Sequence, residues 1–294
     1  MTLNMENSQL YDASIWGEKD VSSGKAAKDE NFPVGSLLVS RKLRPHVKIY
    51  YDYARVIDDI ADSESLTAQE KINRLNGMEA VLRDNVPAPD RSDVMTARFL
   101  RNSLIETEVP FETATDLLIA FRQDARKNCY ANWDELLDYC RYSANPVGRY
   151  LLALHHEGSE TYAPSDALCT SLQILNHLQD CKEDLRRLDR CYIPQDMMQA
   201  EAVSIEDLSH VKASHGLRRV LDSMLDRVDE LNEEARKLPA LIGDRRLRLE
   251  SAVIVKLAHQ LTIRLKDEDP IANRVKLTFG DGMAAVRYAF RYFI

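Results

Sequence analysis

Apolar residues recur at helical spacing along most of this 294-residue chain. Between Val47 and Ala61 they occupy nearly every third or fourth position, and similar periods cover about 93–107, 111–129 and 132–157. Runs of alternating polar and apolar residues, which are typical of strands, are absent from the sequence. The pattern therefore predicts an all-α fold in which many helices pack around a common hydrophobic cavity.

Local start and stop signals divide this pattern into separate helices. Pro45 suits a first helical turn, and Thr67 with Glu70 forms a capping box that opens the next helix. Pro146 lies inside an apolar period, where it predicts a kink or a break. Further helices are expected over about 164–189, 204–214, 216–237, 244–267 and from 281 to the end.

Composition is even along the chain beyond its first thirty residues. Residues 1–30 are polar, which predicts an N-terminal arm or lid. Residues 31–294 contain no internal repeat, no Gly/Ser linker and no change in composition that would mark a boundary. One domain over residues 31–294 is therefore expected.

Charge and cysteine content exclude several classes of protein. The 47 acidic residues outnumber the 39 basic ones, and the formal charge of −8 argues against a nucleic-acid partner. The five cysteines include no Cys-x-x-Cys pair and match neither a disulfide framework nor a zinc site, which favours a reducing cytosol. No run approaches the roughly 18 to 20 apolar residues of a membrane span, and the polar N-terminus does not resemble a signal peptide. A cytoplasmic protein is expected.

The first candidate functional motif is a group of aspartates on an otherwise apolar helix. Asp58 and Asp62 are four residues apart and share one helical face, with Asp59 beside them. Like charges at this spacing repel, and the neighbouring residues of this turn are apolar. A cationic group should therefore offset them, and Arg55 stands three residues before Asp58.

A second polar stripe crosses the helix expected over 164–189. Gln173, Asn176, Asp180 and Asp184 follow one another at steps of three, four and four residues, among leucine and isoleucine. One such stripe is usually a solvated face. Two of them on separate apolar helices can meet across a bundle and hold Mg²⁺, which combines carboxylate, water and substrate phosphate oxygens.

Three motifs in this order resemble the squalene and phytoene synthase family over about residues 30–280. The motifs are Tyr51-x-x-x-Arg55-x-x-Asp58-Asp59-x-x-Asp62, Tyr139-Cys140 through Val147-Gly148, and Gln173-x-x-Asn176-x-x-x-Asp180-x-x-Glu183-Asp184 leading to Arg190-x-Tyr192-x-Pro194. The resemblance implies an all-α isoprenoid-synthase fold, in which two aspartate-rich helices hold Mg²⁺ and a prenyl diphosphate at the mouth of a hydrophobic cavity.

The sequence departs from the usual synthase pattern at several points, and there it resembles the hydroxysqualene synthases of bacterial hopanoid biosynthesis. Gln179 stands where synthases generally carry an arginine, and Glu30-Asn31-Phe32-Pro33 replaces the common Ser-x-Ser-Phe element. The segment 269–277 also resembles this subgroup. The implied reaction converts presqualene diphosphate and water to hydroxysqualene and diphosphate without a hydride donor. The sequence agrees, since it has no Gly-x-Gly-x-x-Gly dinucleotide motif.

The resemblance assigns roles to individual residues. The metal ligands it implies are Asp58, Asp59, Asp62, Asp180 and Asp184. The groups it implies for the substrate diphosphate are Arg55, Arg190 and Lys276, with Arg274 and Arg44 as weaker candidates. The catalytic groups it implies are Tyr51, Tyr139, Gln173 and Asn176, whereas Phe32 and Tyr142 are further candidate walls and Asn145 and His177 are further candidates for orienting water. An ordinary Arg55–Asp59 ion pair and ordinary aromatic core packing are the structural alternatives.

Two other functions remain open at this point. One is a head-to-head prenyl transferase that makes presqualene diphosphate, squalene or phytoene, and the other is a non-catalytic helical partner of such a synthase. The partners expected are an isoprenoid diphosphate, the enzymes before and after it in the squalene pathway, and a membrane surface. For the arginine- and aromatic-rich segment 286–294 we expect packing on the core, with contact to a bilayer as the alternative.

Overall fold

The computed structural model describes residues 13–17 and 40–293. Every named element in these residues is a helix, and one isolated parallel bridge joins Cys129 to Cys191. The predicted all-α fold is confirmed. The chain forms two compact units, residues 1–126 and residues 127–294. The single domain over residues 31–294 stays a prediction.

Helix α1 lies at the centre of the described part of the first unit. It packs against the three other helices of this unit, and its start at Arg44 places Pro45 in the first turn as predicted. Thr67 and Glu70 form the predicted capping box, in which each side chain accepts a hydrogen bond from the other residue's backbone N–H. The helices are α1 (Arg44–Asp62), α2 (Ala68–Leu82), α3 (Ser92–Thr107) and α4 (Glu112–Asp124).

Part of the predicted N-terminal arm is docked on α2. Residues Ala13–Trp16 form a 3₁₀ turn, and the Trp16 side chain is buried. Arg74 donates to the carbonyl of Ile15 at 3.1 Å, and Arg91 donates to the carbonyl of Gly17 at 2.6 Å. The polar composition of residues 1–30 did not predict this docking, and the rest of the arm, like Phe32, lies outside the described residues.

The second unit contains the long helix that carries the second polar stripe. This helix, α7, packs against α5, α6, α9 and α11. The helices of the unit are α5 (Trp133–Ser143), α6 (Asn145–Leu154), α7 (Tyr162–Leu188), α8 (Gln195–Ala200), α9 (His215–Ala235), α10 (Leu238–Leu241), α11 (Arg245–Asp267) and α12 (Phe279–Ala289), with 3₁₀ turns at Ser159–Thr161, Ile205–Ser209 and Phe290–Tyr292.

Helix α6 approaches α7 closely because Gly148 has no side chain. A Cβ at this position would stand 2.5 Å from Oγ of Ser165 and 2.7 Å from Sγ of Cys169. Pro146 lies at the start of α6, and the break predicted there is confirmed by the change of helix between Ser143 and Asn145. The break lets α6 lie against α7 as a separate helix.

A chain of buried hydrogen bonds connects α7, α9 and α11. Ser171 donates to Oδ1 of Asn232 at 2.7 Å, the Asn232 amide donates to Oγ1 of Thr262 at 3.0 Å, and Thr262 donates to the carbonyl of Ala258. All three polar side chains are buried, so each satisfies a group that would otherwise lack a partner in an apolar interior.

Two of the predicted elements differ in the structure. The helix expected over 204–214 is only a 3₁₀ turn, Ile205–Ser209, because Ser204 and Asp207 cap it and Ser214 caps the start of α9. The apolar period 111–129 ends as a helix at Asp124. No helix within residues 13–17 and 40–293 is both long enough and apolar enough to cross a bilayer.

The first prediction concerns the buried chain of hydrogen bonds. Asn232→Ala removes both the acceptor of Ser171 and the donor to Thr262 and leaves a small cavity, so the free energy of unfolding should fall by about 3 kcal/mol. Urea denaturation measures this loss. The control is Glu233→Ala on the exposed side of the same helix, which breaks only a surface ion pair with Arg236 and should cost less than about 0.5 kcal/mol. Equal losses of unfolding free energy in both variants would show that these buried hydrogen bonds do not stabilise the fold.

The cysteines give a second prediction. All five are free thiols, and burial raises the pKa of Cys191 to about 11 and that of Cys181 to about 12. Both thiols therefore stay protonated near neutral pH and are poor nucleophiles. Iodoacetamide at pH 8 should label half-buried Cys129 before either of them, as read by peptide mass spectrometry, whereas all should react in concentrated urea.

Candidate active site

The aspartates of α1 are compensated by an arginine of the same helix. Arg55 reaches Oδ1 of Asp59 at 2.8 Å and Oδ2 of Asp58 at 3.0 Å. Asp59 is buried, whereas Asp58 remains partly exposed. A buried carboxylate needs such a partner, because the loss of hydration of an unpaired charge would be costly. The cation predicted to offset this acidic group is therefore Arg55.

The same helix is anchored through its buried face. The Tyr50 hydroxyl donates to the carbonyl of Thr113 on α4 at 2.7 Å, and Ile57 and Ile60 are buried. Tyr51 and Asp62 are half-buried, and so is Arg44 at the first turn. Helix α1 thus has one buried apolar face and one partly accessible polar face. The Arg55–Asp59 ion pair considered as the ordinary alternative is present, and contact of Arg55 with a phosphate stays a prediction.

The second polar stripe lies along the edge of α7. Gln173, Asn176, Asp180 and Asp184 are all half-buried. The opposite side of the helix is buried through residues such as Ile174 and Leu175. The predicted amphipathic arrangement is therefore present, with carboxylate and amide groups that water and small ligands can reach.

Two adjacent residues of α7 hold two adjacent residues of the segment that follows α11. The Gln179 amide donates to the carbonyl of Val275 at 2.6 Å, and both residues are buried. Arg274 binds Asp180 through two parallel hydrogen bonds, one of them 2.8 Å from Nη2 to Oδ2. These bonds raise the pKa of the Arg274 guanidinium. Such bidentate pairs are geometrically specific, so Arg274 and Val275 are held at the acidic stripe.

The pairing adds contacts to two residues noted in the sequence. Gln179 stands where synthases generally carry an arginine, and its buried amide holds the backbone of Val275. Arg274, a weaker candidate in the sequence, is in direct contact with Asp180, and both Arg274 and Lys276 are exposed. Contact of either residue with a phosphate stays a prediction.

An aromatic cluster lies beside the stripe in the second unit. The Tyr139 ring is 5.3 Å from Tyr130 and 5.5 Å from Tyr192, and the Tyr192 ring stacks on His177 at 3.5 Å. All four residues are buried. Electron-rich ring faces attract cations, so this cluster can stabilise a positive charge as well as fill the core.

His177 is oriented by its own helix. The Gln173 amide nitrogen lies 3.1 Å from Nε2 of His177, and because an amide nitrogen only donates, the ring nitrogen accepts this hydrogen bond. Nδ1 is the other ring nitrogen. That nitrogen lies 4.0 Å from Oδ2 of Asp184. His177, a further candidate from the sequence, is therefore hydrogen-bonded to Gln173 of the stripe, and the Asp184 carboxylate lies near it beyond hydrogen-bond distance.

The remaining candidates occupy varied positions. Arg190 is buried just beyond α7, where Asp189 ends the helix with a φ of 53° and the Arg190 N–H donates to the carbonyl of Asp184 at 3.3 Å. Asn145 is buried and accepts a hydrogen bond from Thr170 at 3.0 Å, and its role in orienting water stays a prediction. Tyr142 is half-buried, with the guanidinium of Arg141 5.4 Å from its ring centre.

The donor chemistry of both stripes suits Mg²⁺. In residues 13–17 and 40–293 no three His, Cys, Asp or Glu side chains are grouped as a ready cage. Mg²⁺ commonly uses one or two carboxylates and completes its shell with water and substrate phosphate, so the aspartates of α1 and those of α7 are each of a type that fits this ion. Asp58 and Asp180 are at present neutralised by Arg55 and Arg274.

Comparison with known proteins decides the family. The model of the squalene/phytoene synthase family matches residues 25–281. The chain belongs to this family. Two relatives are named hydroxysqualene synthase: one from Zymomonas mobilis is 39% identical over 273 residues (92% of this chain and 91% of the relative), and one from Rhodopseudomonas palustris is 42% identical over 258 residues (88% and 87%).

A solved structure of the family has the same fold. The squalene synthase of Alicyclobacillus acidocaldarius superimposes with a TM-score of 0.71 at 31% identity, covering 82% of this chain and 90% of that protein. The all-helical isoprenoid-synthase fold expected from the motifs is therefore confirmed.

Sequence reasoning missed the contacts that two residues make near the second polar stripe. Tyr130 joins the aromatic cluster, although it lies outside the quoted motifs, and Val275 supplies the carbonyl that holds Gln179. The apolar setting of Gln179 on the buried side of α7 was the available signal, because a buried amide needs a hydrogen-bond partner. A backbone partner nearly a hundred residues away has no signature in sequence.

The third prediction concerns Gln179. Gln179→Leu keeps the volume of the side chain but removes the donor to Val275, so amide hydrogen exchange in residues 272–277 should become at least about tenfold faster. Hydrogen exchange with mass spectrometry measures this change. Gln199→Leu, at an exposed position of α8, is the matched control and should leave exchange in 272–277 unchanged. Equal protection in both variants would contradict the anchoring role.

Proposed function

We propose that this chain is a hydroxysqualene synthase, which converts presqualene diphosphate and water to hydroxysqualene and diphosphate. The observation that carries the proposal is the identity of 39% and 42% to two proteins of that name, over about nine-tenths of each chain. The match to the family model over residues 25–281 includes both polar stripes and the segment that binds Gln179 and Asp180. The chain is thus an enzyme of isoprenoid biosynthesis, acting on a diphosphate.

The leaving group is bound by the polar stripes. We propose that Asp58 and Asp62 on α1, and Asp180 and Asp184 on α7, bind Mg²⁺, with Asp59 and Asn176 as supporting groups. When bound, this ion neutralises the charge that develops on departing diphosphate. Arg274 is one candidate for direct phosphate contact, since its guanidinium already lies at the stripe and matches phosphate geometry. Arg55, Arg190 and Lys276 are the others.

Departure of diphosphate leaves a cyclopropylcarbinyl cation that rearranges before water adds to it. Tyr139 and Tyr192 present their ring faces in a buried cluster. These faces can stabilise the cation while the cluster keeps bulk water away from it. Water then forms the new C–O bond and loses one proton. Gln173 and His177 are polar groups beside these rings, and we propose that they orient this water; Tyr51 is the candidate on α1.

A condensing enzyme is the second candidate. The similarity to a squalene synthase at 31% identity favours it, because such enzymes share the aspartate motifs. Gln179 argues the other way: it is buried and bound to backbone, so no cation occupies this position for a second diphosphate.

The five free thiols support a reducing compartment, and we propose a cytoplasmic enzyme.

Product analysis tests the proposal. The purified protein is incubated with Mg²⁺ and presqualene diphosphate, and separately with farnesyl diphosphate, without nicotinamide cofactor. Hydroxysqualene from presqualene diphosphate, identified by mass spectrometry, is the expected result. Presqualene diphosphate or a hydrocarbon formed from the shorter substrate would assign the chain to the condensing enzymes, and no product from either would favour a non-catalytic partner protein.

The fourth prediction tests the acidic stripes. Asp58→Asn and Asp180→Asn should each lower kcat by at least about 100-fold, because each removes a charge that balances the metal and diphosphate. Their free energy of unfolding should change by no more than about 1 kcal/mol, since both ion pairs are partly exposed.

The matched control for Asp180→Asn lies on the same helix, α7. Asp166 also binds an arginine in a bidentate pair, with Arg149 at 2.6 and 3.0 Å, but stands outside the motif. Asp166→Asn should therefore retain normal kcat. Wild-type turnover in Asp180→Asn, or an equal loss in Asp166→Asn, would contradict the assigned role of the stripe.

A further inference from the structure

Helix α12 and the turn that follows it have a buried side and an exposed apolar side. Ala285 and Ala289 are buried where α12 packs on α11. The opposite side remains exposed, with Phe279 83% and Phe290 64% accessible. Five exposed apolar side chains form a C-terminal apolar stripe: Phe279, Met283, Val286, Phe290 and Phe293. They follow one another at steps of four, three, four and three residues, which places them on one side of a helix.

The expected core packing of segment 286–294 is therefore only half right. The small residues of α12 face the core, while the large apolar residues at 286, 290 and 293 face outward. Large apolar side chains that line up on an exposed surface generally mark a contact with another molecule or a membrane. Scattered exposed apolar residues would need no such explanation.

The surroundings of the C-terminal apolar stripe are positively charged. Arg287 and Arg291 are exposed beside it, and the guanidinium of Arg245 lies 4.1 Å from the ring centre of Phe293. No acidic residue occurs from Gly282 to Phe293. The preceding acid, Asp281, is buried and binds Arg264 at 2.6 Å. The chain as a whole carries a formal charge of −8, so this surface differs in sign from the average.

We propose that the C-terminal apolar stripe docks on a membrane surface rich in anionic lipid. Apolar and aromatic side chains on one side of a helix enter the headgroup boundary, while adjacent arginines contact lipid phosphates. A second copy of the chain fits less well, because a symmetric contact brings the same patch of both copies together without acidic groups for the arginines. Docking of the C-terminal apolar stripe does not depend on the proposed reaction.

Docking would place the enzyme where a long apolar substrate resides. If the proposed function holds, presqualene diphosphate carries its hydrocarbon chains in lipid and its diphosphate in water. A protein held at the headgroups meets such a molecule without extracting it through bulk water first.

Vesicle sedimentation with the full chain and no substrate tests the proposal. Vesicles of phosphatidylcholine alone are compared with vesicles that also contain phosphatidylglycerol. The protein should sediment with the anionic vesicles, and added salt should weaken this binding. Arg287→Gln with Arg291→Gln should weaken it about 25-fold, at about fivefold for each arginine. Phe290→Ser with Phe293→Ser should weaken it at least about tenfold.

The control variant combines Phe99→Ser with Arg219→Gln, an exposed aromatic residue of α3 and an exposed arginine of α9. It should bind vesicles as the wild type does, and all variants should keep the helical circular dichroism of the wild type. Absence of wild-type binding, or equal binding by the wild type and both stripe variants, overturns the proposal. A dimer in sedimentation equilibrium that the Phe290→Ser, Phe293→Ser variant loses would overturn it in favour of self-association.

Discussion

The buried chain of hydrogen bonds from Ser171 through Asn232 to Thr262 fixes helix α7, on which the second half of the proposed site is built. Asp180 and Asp184 lie on the same helix, nine and thirteen residues after Ser171. A continuous helix transmits position along its axis, so an anchor in its buried part also places the carboxylates further along. Gly148 adds to this placement by allowing α6 to pack closely against α7.

Charge compensation is the second constraint on the structure. Carboxylates next to apolar residues cost free energy unless a cation or hydrogen-bond donors accompany them. Arg55 meets this need for Asp58 and Asp59 within a single helix, whereas Arg274 meets it for Asp180 from ninety-four residues away. Because both arginines are also suited to phosphate, the groups that stabilise the free protein can serve the substrate diphosphate.

Much of the fold could be predicted because its signals are local. The capping box at Thr67, Pro45 in a first turn and the break near Pro146 depend only on neighbouring residues, and all three are present. The short helices α8 and α10 were missed because six and four residues hold too little periodicity to recognise. The segment 204–214 satisfied the helical period, yet its caps at Ser204 and Ser214 divide it.

The candidate site was predictable in its residues and less so in their contacts. Spacing alone placed Asp180 and Asp184 on one face, because the helix repeat is fixed. The partners of Asp180 and Gln179 depend on how distant segments pack, and so the roles of Arg274 and Val275 appeared only in the structure. The exposure of Phe279 and Phe290 is likewise set by which side of α12 meets α11.

Capture of a carbocation by water is the step that separates this enzyme from the condensing members of its family. A single turnover of presqualene diphosphate in H₂¹⁸O, with Mg²⁺ and no nicotinamide, measures that step directly. The hydroxyl of the product should carry ¹⁸O, as read by mass spectrometry. A product without the heavy oxygen, or a hydrocarbon with no hydroxyl, would contradict the proposed reaction.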